Sequence, residues 1–94
     1  MNEKWVYNFP EYALDTDISR QTAKVLEEIC EVFLALCNGE SMERVAEEAM
    51  DVGASHDQLI RLIEAEGVDV GKAKREVIAK NTARGYYGGE EPCM

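Results

Sequence analysis

The sequence is short of histidine and cysteine, and each shortage excludes a kind of chemistry. Because His56 is the single histidine, a histidine-based metal cluster is excluded. The three cysteines, Cys30, Cys37 and Cys93, show neither C-x-x-C nor Cys/His spacing, so they predict no zinc site and no disulfide framework. We expect them to be reduced, with one of Cys30 and Cys37 buried in a helix.

Basic residues are also scarce, since 10 Lys and Arg stand against 19 Asp and Glu and give a net charge of -9. The longest basic cluster is the run 72–75, so we expect no nucleic-acid partner. No apolar run approaches the roughly 18 residues of a membrane span, and residues 1–5 lack the features of a signal peptide. We therefore expect no membrane partner and a cytoplasmic location.

A chain of 94 residues makes one domain, residues 1–94, and buries only about 60% of its unfolded surface, so it gains from a partner subunit. Residues 1–14 form the N-terminal aromatic arm, in which Trp5, Tyr7 and Phe9 alternate with other residues before Pro10. This pattern predicts an extended arm or a short edge strand. The arm either packs on a helix or a partner, or presents an aromatic ring such as Trp5 to a planar ligand.

Helical periodicity over the remaining chain predicts an all-α protein with three helices. Asp15-x-Asp17-x-Ser19 is like the start of a calcium loop, but Arg20 occupies the required glycine position, so we interpret this segment as a helix cap. The tail, residues 85–94, is rich in glycine. The predicted helices run from about Ile18 to Cys37, from near Ser41 to about Glu66, and from Val70, capped by Asp69, to about Ala83.

Apolar residues define the faces that these helices are expected to bury. The segment 53–58, Gly-Ala-Ser-His-Asp-Gln, interrupts the pattern of the second helix, so the helix bends there or another helix approaches closely. His56 within it is expected to pack or to form a hydrogen bond instead of acting as a base. The residues expected to face inward are Val25, Ile29, Val32, Phe33 and Leu36 on the first helix and Ala73, Val77 and Ile78 on the third.

Two pairs of acidic residues stand at i, i+3 spacing on the first two helices. Glu28 and Glu31 border the apolar arc of the first helix, whereas Glu48 points into the apolar stripe of the second and Asp51 borders it. An antiparallel helix hairpin would bring the pairs face to face, and converging carboxylates suit a hard cation such as Mg²⁺. A Glu in a core-facing stripe needs a partner or a metal, because an unpaired buried charge is costly.

Basic residues reappear at the end of the third helix. Lys80 and Arg84 are four residues apart and share a face, with Asn81 adjacent. They either compensate the helix C-terminus before a glycine stop or grip a phosphate group.

Together these features resemble the all-α nucleoside triphosphate pyrophosphohydrolases of the MazG type, which include dimeric dUTPases, dCTP pyrophosphatases and phosphoribosyl-ATP pyrophosphohydrolase. The family pattern is E-x-x-E, a spacer, and E-x-x-D. Here it corresponds to Glu28-x-x-Glu31, sixteen intervening residues and Glu48-x-x-Asp51. Gly67-Val68-Asp69-Val70 and Lys80-Asn81-x-x-Arg84-Gly-Tyr-Tyr are also similar to MazG-type members, so the resemblance covers about residues 20–88.

The resemblance implies a role for each matching residue. Glu28, Glu31, Glu48 and Asp51 bind Mg²⁺, for which Mn²⁺ can substitute, and Glu27 assists as a ligand or a water-orienting base. Contacts with the phosphates or sugar come from Lys24, Lys80, Asn81 and Arg84. It also implies a helical bundle completed by a second subunit, as a homodimer or a dimer of dimers.

The predicted function is hydrolysis of a nucleoside triphosphate, ribo or deoxy, to the monophosphate and pyrophosphate by a metal-activated water. Two alternatives remain open. Phosphoribosyl-ATP is a competing substrate of the same reaction class, although the Lys80-to-Tyr87 ending favours the MazG side. The other alternative is a non-catalytic acidic helical module that binds a partner protein.

Overall fold

The computed structural model describes residues 9–13 and 15–88, and every regular element in these residues is a helix. Trp5, Tyr7 and the end of the tail lie outside the described residues. The all-α class is therefore confirmed for the described part, and the three helices begin and end within one residue of the predicted positions. They are α1 (Ile18–Cys37), α2 (Met42–Ala65) and α3 (Val70–Ala83).

Each helix begins with a side chain that accepts a hydrogen bond from the first turn. The Asp17 carboxylate accepts from the backbone N–H of Arg20 at 2.8 Å. Ser41 does the same for α2 at 3.1 Å, and Asp69 for α3 at 3.0 Å. The segment interpreted as a helix cap supplies it at Asp17, and the cap predicted at Asp69 is confirmed; these acceptors satisfy backbone donors that the helix itself leaves open.

The middle of α2 carries small buried residues and contacts α1. Gly53 and Ser55 are buried, and the side chain of Gln21 on α1 donates to the backbone oxygen of Ser55 at 2.9 Å. α2 continues through this segment without a break in its helical assignment, and the contact from Gln21 agrees with the close-approach interpretation of the Gly53–Ser55 segment, which stays a prediction. Small side chains allow the backbone of α2 to lie within reach of a side chain on α1.

The described part of the N-terminal arm, residues 9–13, has no regular structure and contacts α2. Arg61 donates from Nη2 to the backbone oxygen of Phe9 at 2.7 Å. The backbone N–H of Tyr12 donates to Gln58 at 3.3 Å, and the Tyr12 hydroxyl lies 3.3 Å from Ser55 Oγ. The prediction that the arm packs on a helix is therefore confirmed for these residues.

Several predicted core residues are not buried in this chain. On α1, Ile29, Phe33 and Leu36 expose between 48% and 65% of their surface. On α3, Val77 and Ile78 expose 47% and 44%, and Ala73 is also exposed, so these residues are not buried in the single chain, although all three line a cavity on the side that faces α2. The physical reason is that α3 contacts α2 at few positions, and its backbone does not contact α1.

Cys30 and Cys37 are both free and exposed, so the prediction that one of them is buried is also wrong. They lie seven residues apart on the same side of α1 as exposed apolar residues, which α2 does not cover.

Within the described chain, no helix combines the length and the apolar character that crossing a bilayer demands.

Candidate active site

The predicted acidic pairs lie on the two helices that pack most extensively against each other, α1 and α2. Glu48 is buried, with 8% of its surface exposed, so the prediction that it points into the packed side of α2 is confirmed. Glu28 is half-buried, whereas Glu31 and Asp51 are exposed. The sequence thus correctly distinguishes the one carboxylate that enters the helix interface.

Burial raises the pKa of Glu48 above its ordinary value, because the charged carboxylate loses hydration. The guanidinium of Arg44 opposes this increase, while the negative charge of Glu31 and a hydrogen bond and charge from Asp51 add to it. These contributions indicate that Glu31 on α1 and Asp51 on α2 both lie near Glu48. Both residues therefore add negative charge to the surroundings of Glu48.

Each acidic pair is accompanied by a cation from its own helix. Lys24 Nζ lies 3.1 Å from Glu28 Oε1 and 3.9 Å from Glu27 Oε1. The hydrogen bond and charge of Glu28 raise the pKa of Lys24 above its ordinary value, so the ammonium remains charged. On α2, Arg44 Nη2 lies 3.6 Å from Glu48 Oε2. The first acid of each pair is thus partly neutralised by the residue four positions before it.

Carboxylate oxygens are the type of ligand that Mg²⁺ prefers, but the carboxylates of this site are spread apart. Across residues 9–13 and 15–88, no three His, Cys, Asp or Glu side chains are gathered closely enough to hold one metal ion. Side-chain rotation away from Lys24 and Arg44 would be needed for Glu28 and Glu48 to share a cation with Glu31 and Asp51. The carboxylate donors therefore fit the predicted metal in chemistry, but the described side chains do not converge on one point at which a metal ion could bind.

The predicted phosphate grip lies on the last turn of α3 and just beyond it. Asn81 Nδ2 donates to the hydroxyl of Tyr87 at 3.2 Å, and the Arg84 guanidinium lies 5.7 Å from the centre of the Tyr86 ring. In the part of the chain that the structure describes, no hydrogen bond or ion pair links Lys80, Asn81 or Arg84 to the acidic pairs. One chain therefore does not join the grip to the acids through direct contacts.

A cavity of about 540 Å³ separates the facing sides of α2 and α3. Its volume lies in the range of roughly 300–1,000 Å³ that is usual for ligand pockets, although its walls are mainly apolar. The buried carboxylate of Asp57 also belongs to the wall. The lining residues are His56, Asp57, Ile60, Ile63, Val68, Val70, Ala73, Lys74, Val77, Ile78 and Tyr87.

Sequence reasoning missed the buried pair formed by Asp57 and Arg61. Asp57 is 2% exposed, and its Oδ2 accepts from Arg61 Nε at 3.0 Å. Arg61 also reaches Phe9, as described above, and lies 3.9 Å from Glu11. The i, i+4 spacing of an Asp and an Arg on one helix is the sequence feature that indicates such a pair. In the structure, the pair connects the arm to α2 through Arg61.

Comparisons with protein-family models, with curated proteins and with solved structures found no match for this chain. The described residues form three helices, with a buried glutamate on α2 beside an arginine of the same helix.

Proposed function

We propose that this protein is a Mg²⁺-dependent nucleoside triphosphate pyrophosphohydrolase that converts a ribo- or deoxynucleoside triphosphate to the monophosphate and pyrophosphate. The observation that supports the proposal is the burial of Glu48 close to Glu31 and Asp51. Like charges in a partly desolvated place repel one another, and this cost is relieved when a cation binds among them. If these acids formed only a solvated surface, none of them would have to be buried, whereas Glu48 is buried.

The reaction requires an attacking water at the α-phosphorus and a bound pyrophosphate leaving group. Mg²⁺, or Mn²⁺ in its place, would supply positive charge for the phosphate oxygens and would activate the water. In this proposal Glu28, Glu31, Glu48 and Asp51 would hold the metal, and Glu27 would assist as a further ligand or as a base that orients the water. Lys24, Lys80, Asn81 and Arg84 hold the phosphates, since ammonium, amide and guanidinium groups donate hydrogen bonds to their oxygens.

The proposal includes a homo-oligomer, either a homodimer or a dimer of dimers, in which α1 and α2 form an antiparallel hairpin. Two observations support it: large apolar side chains such as Phe33 and Leu26 are exposed on α1, and α3 with its grip stands apart from the acids. A second subunit would cover the apolar side chains and would add a second set of phosphate-binding residues. The sequence further favours a cytoplasmic setting.

A second candidate function is a non-catalytic acidic helical module that binds a partner protein. The ion pairs of Lys24 with Glu28 and of Arg44 with Glu48 favour it, because they show how these acids are stabilised without a metal. The same exposed apolar side chains would then bind a different protein. This candidate predicts no pyrophosphate release from any nucleotide.

The test is pyrophosphate release with Mg²⁺ across the common NTPs and dNTPs and phosphoribosyl-ATP. Wild-type protein is compared with Glu48→Gln, Asp51→Asn and the control Glu76→Gln, which changes an exposed acid on α3. We expect the first two variants to lose at least about a hundredfold in kcat/KM, because each removes a ligand charge, and the control to retain activity. Release by wild type that survives in both site variants would reject the metal site, and absence of release from wild type would favour the non-catalytic module.

A further inference from the structure

Arg44 is surrounded by carboxylates to a degree that neither the sequence patterns nor the proposed function explains. Its Nη1 lies 3.0 Å from Glu47, its Nε lies 3.6 Å from Glu40, and its Nη2 lies 3.6 Å from Glu48. Half of the Arg44 side chain is exposed at 51%, whereas the side chain of Glu48 is only 11% exposed. One half-exposed cation therefore lies between the solvent and the buried acid of the candidate active site.

Helix stability alone does not account for a cation at this position. Arg44 is the third residue of α2, and the positive end of a helix dipole disfavours cations in the first turn. The order of the Arg44–Glu48 pair, with the cation four residues before the acid, is also the less favourable one for an i, i+4 pair. Lys24 and Glu28 repeat the same order on α1. The placement therefore has a local electrostatic disadvantage that Glu48 and its neighbours must offset.

We propose that Arg44 is an exchangeable counter-cation: it neutralises Glu48 while no metal is bound, and it turns to the triphosphate when a divalent cation takes its place at Glu48. This inference rests on the proposed function, and it assigns to Arg44 a positioning role for Glu48 and a binding role for substrate. The planar guanidinium suits both tasks, since its fork of donors matches carboxylate and phosphate oxygens alike.

The geometry makes the exchange feasible without movement of the backbone. Arg44 and Glu48 lie one helical turn apart, about 6 Å along the axis, and a half-exposed arginine side chain can rotate away from one carboxylate toward a ligand in front of it. Glu40 and Glu47 are both more exposed than Glu48, so they do not hold Arg44 in a dry environment. A triphosphate carries more charge than either of them and would compete for the guanidinium.

The exchange predicts effects of opposite sign on two binding constants. Loss of the Arg44 charge removes a competitor for Glu48, so Mg²⁺ alone should bind several-fold more tightly. The same loss removes a charged donor to phosphate, so a nucleotide should bind about tenfold or more weakly. A residue that only stabilises the fold would weaken both or change neither.

The experiment measures Mg²⁺ binding to the full chain by calorimetry, and then binding of an α,β-methylene deoxynucleoside triphosphate in the presence of Mg²⁺, so that no hydrolysis occurs. Arg44→Gln is compared with wild type and with the control Arg20→Gln. Arg20 is an exposed arginine that pairs with Asp17, at a distance of 3.6 Å, and not with the acidic pairs. Arg44→Lys keeps the charge and should keep Mg²⁺ affinity near that of wild type. Circular dichroism verifies that each variant is folded.

Tighter Mg²⁺ binding together with weaker nucleotide binding in Arg44→Gln alone supports the exchange. Weaker binding of both Mg²⁺ and the nucleotide in Arg44→Gln, or binding constants equal to those of Arg20→Gln, overturns the exchange. The proposed function then stays intact if wild type binds both ligands. Tighter Mg²⁺ binding in Arg44→Lys also overturns it, because the effect would then not depend on charge. A wild-type chain that binds neither Mg²⁺ nor the analogue overturns the inference and the proposed function together.

Discussion

Replacement of Arg61 by methionine is the perturbation whose effect the structure defines best. The change keeps most of the apolar stem, and it removes the guanidinium that donates to Asp57 at 3.0 Å and to Phe9 at 2.7 Å. Asp57 is 2% exposed, and its other oxygen, Oδ1, has no hydrogen-bond partner among the described residues. The variant therefore leaves a buried carboxylate without its described counter-charge.

Removal of one member of a buried ion pair typically costs about 3–5 kcal/mol. Since the Arg61 side chain is 23% exposed, some water can approach Asp57 in the variant, and we expect a loss near the lower end, about 3 kcal/mol. The matched control is Arg20→Met, which breaks an ion pair whose side chains are 78% and 61% exposed. An exposed pair contributes no more than about 1 kcal/mol, so the control should lose little stability.

Urea unfolding followed by circular dichroism, at one protein concentration for all variants, gives the free energies of unfolding. The double variant Asp57→Leu with Arg61→Met should be more stable than Arg61→Met alone, because two apolar side chains replace the isolated charge. If Arg61→Met loses no more than Arg20→Met, the pair does not carry the stability inferred from its burial. A double variant less stable than the single one would show that the loss comes from packing or from the Phe9 contact.

Two further predictions concern Glu48 and the exposed face of α1. Because the folded-state pKa of Glu48 is raised above its ordinary value of 4.5, its stabilising contribution is present below that value and is lost as the pH rises through the raised pKa. Glu48→Gln should remove this part of the pH dependence of the urea midpoint, whereas Glu76→Gln should retain it; identical profiles would contradict the burial. Phe33→Glu, at a side chain that is 65% exposed, should reduce the mass measured by light scattering, and Thr22→Glu, at a polar exposed position of α1, should not. An oligomer that persists in Phe33→Glu would place the interface elsewhere.

The helix boundaries could be predicted because their determinants lie within a few residues of one another. Asp17 caps the backbone of Arg20, and Asp69 caps that of Lys72, each across three positions. Gly39 and Gly67 follow the helix ends with positive φ angles of 67° and 94°, which favour glycine. Such signals are local, and tertiary packing does not have to be known for them to act.

The Asp57–Arg61 pair could not be predicted from a helical wheel that assumes one buried face. Asp57 lies nine positions after Glu48, which rotates it by about half a turn around the helix axis, to the opposite side of α2. Both are nevertheless buried, at 8% and 2% exposure. α2 thus has two covered sides, and the second is formed partly by the arm, whose path no periodicity in the sequence specifies.

The candidate site was predicted only in part for a related reason. Helical phase is sufficient to place Glu48 on the packed side of α2 and Glu28 at the border of the apolar arc of α1. The structure agrees with both positions, since Glu48 is buried and Glu28 is half-buried. Phase says nothing about the cation that each acid selects, so the contacts of Lys24 with Glu28 and of Arg44 with Glu48 were not anticipated. The rotamer that brings an acid to a neighbouring cation depends on side-chain contacts, which helical phase does not specify.

The distribution of polar and apolar side chains connects the site to assembly. Among the described residues, the buried side chains are largely polar, including Gln21, Glu48 and Asp57, whereas Leu26 and Phe33 expose more than 60% of their surface. Apolar burial is the main favourable contribution to folding, so a single chain that leaves such residues in water forgoes much of its stabilisation. A second subunit on the exposed face of α1 would recover it.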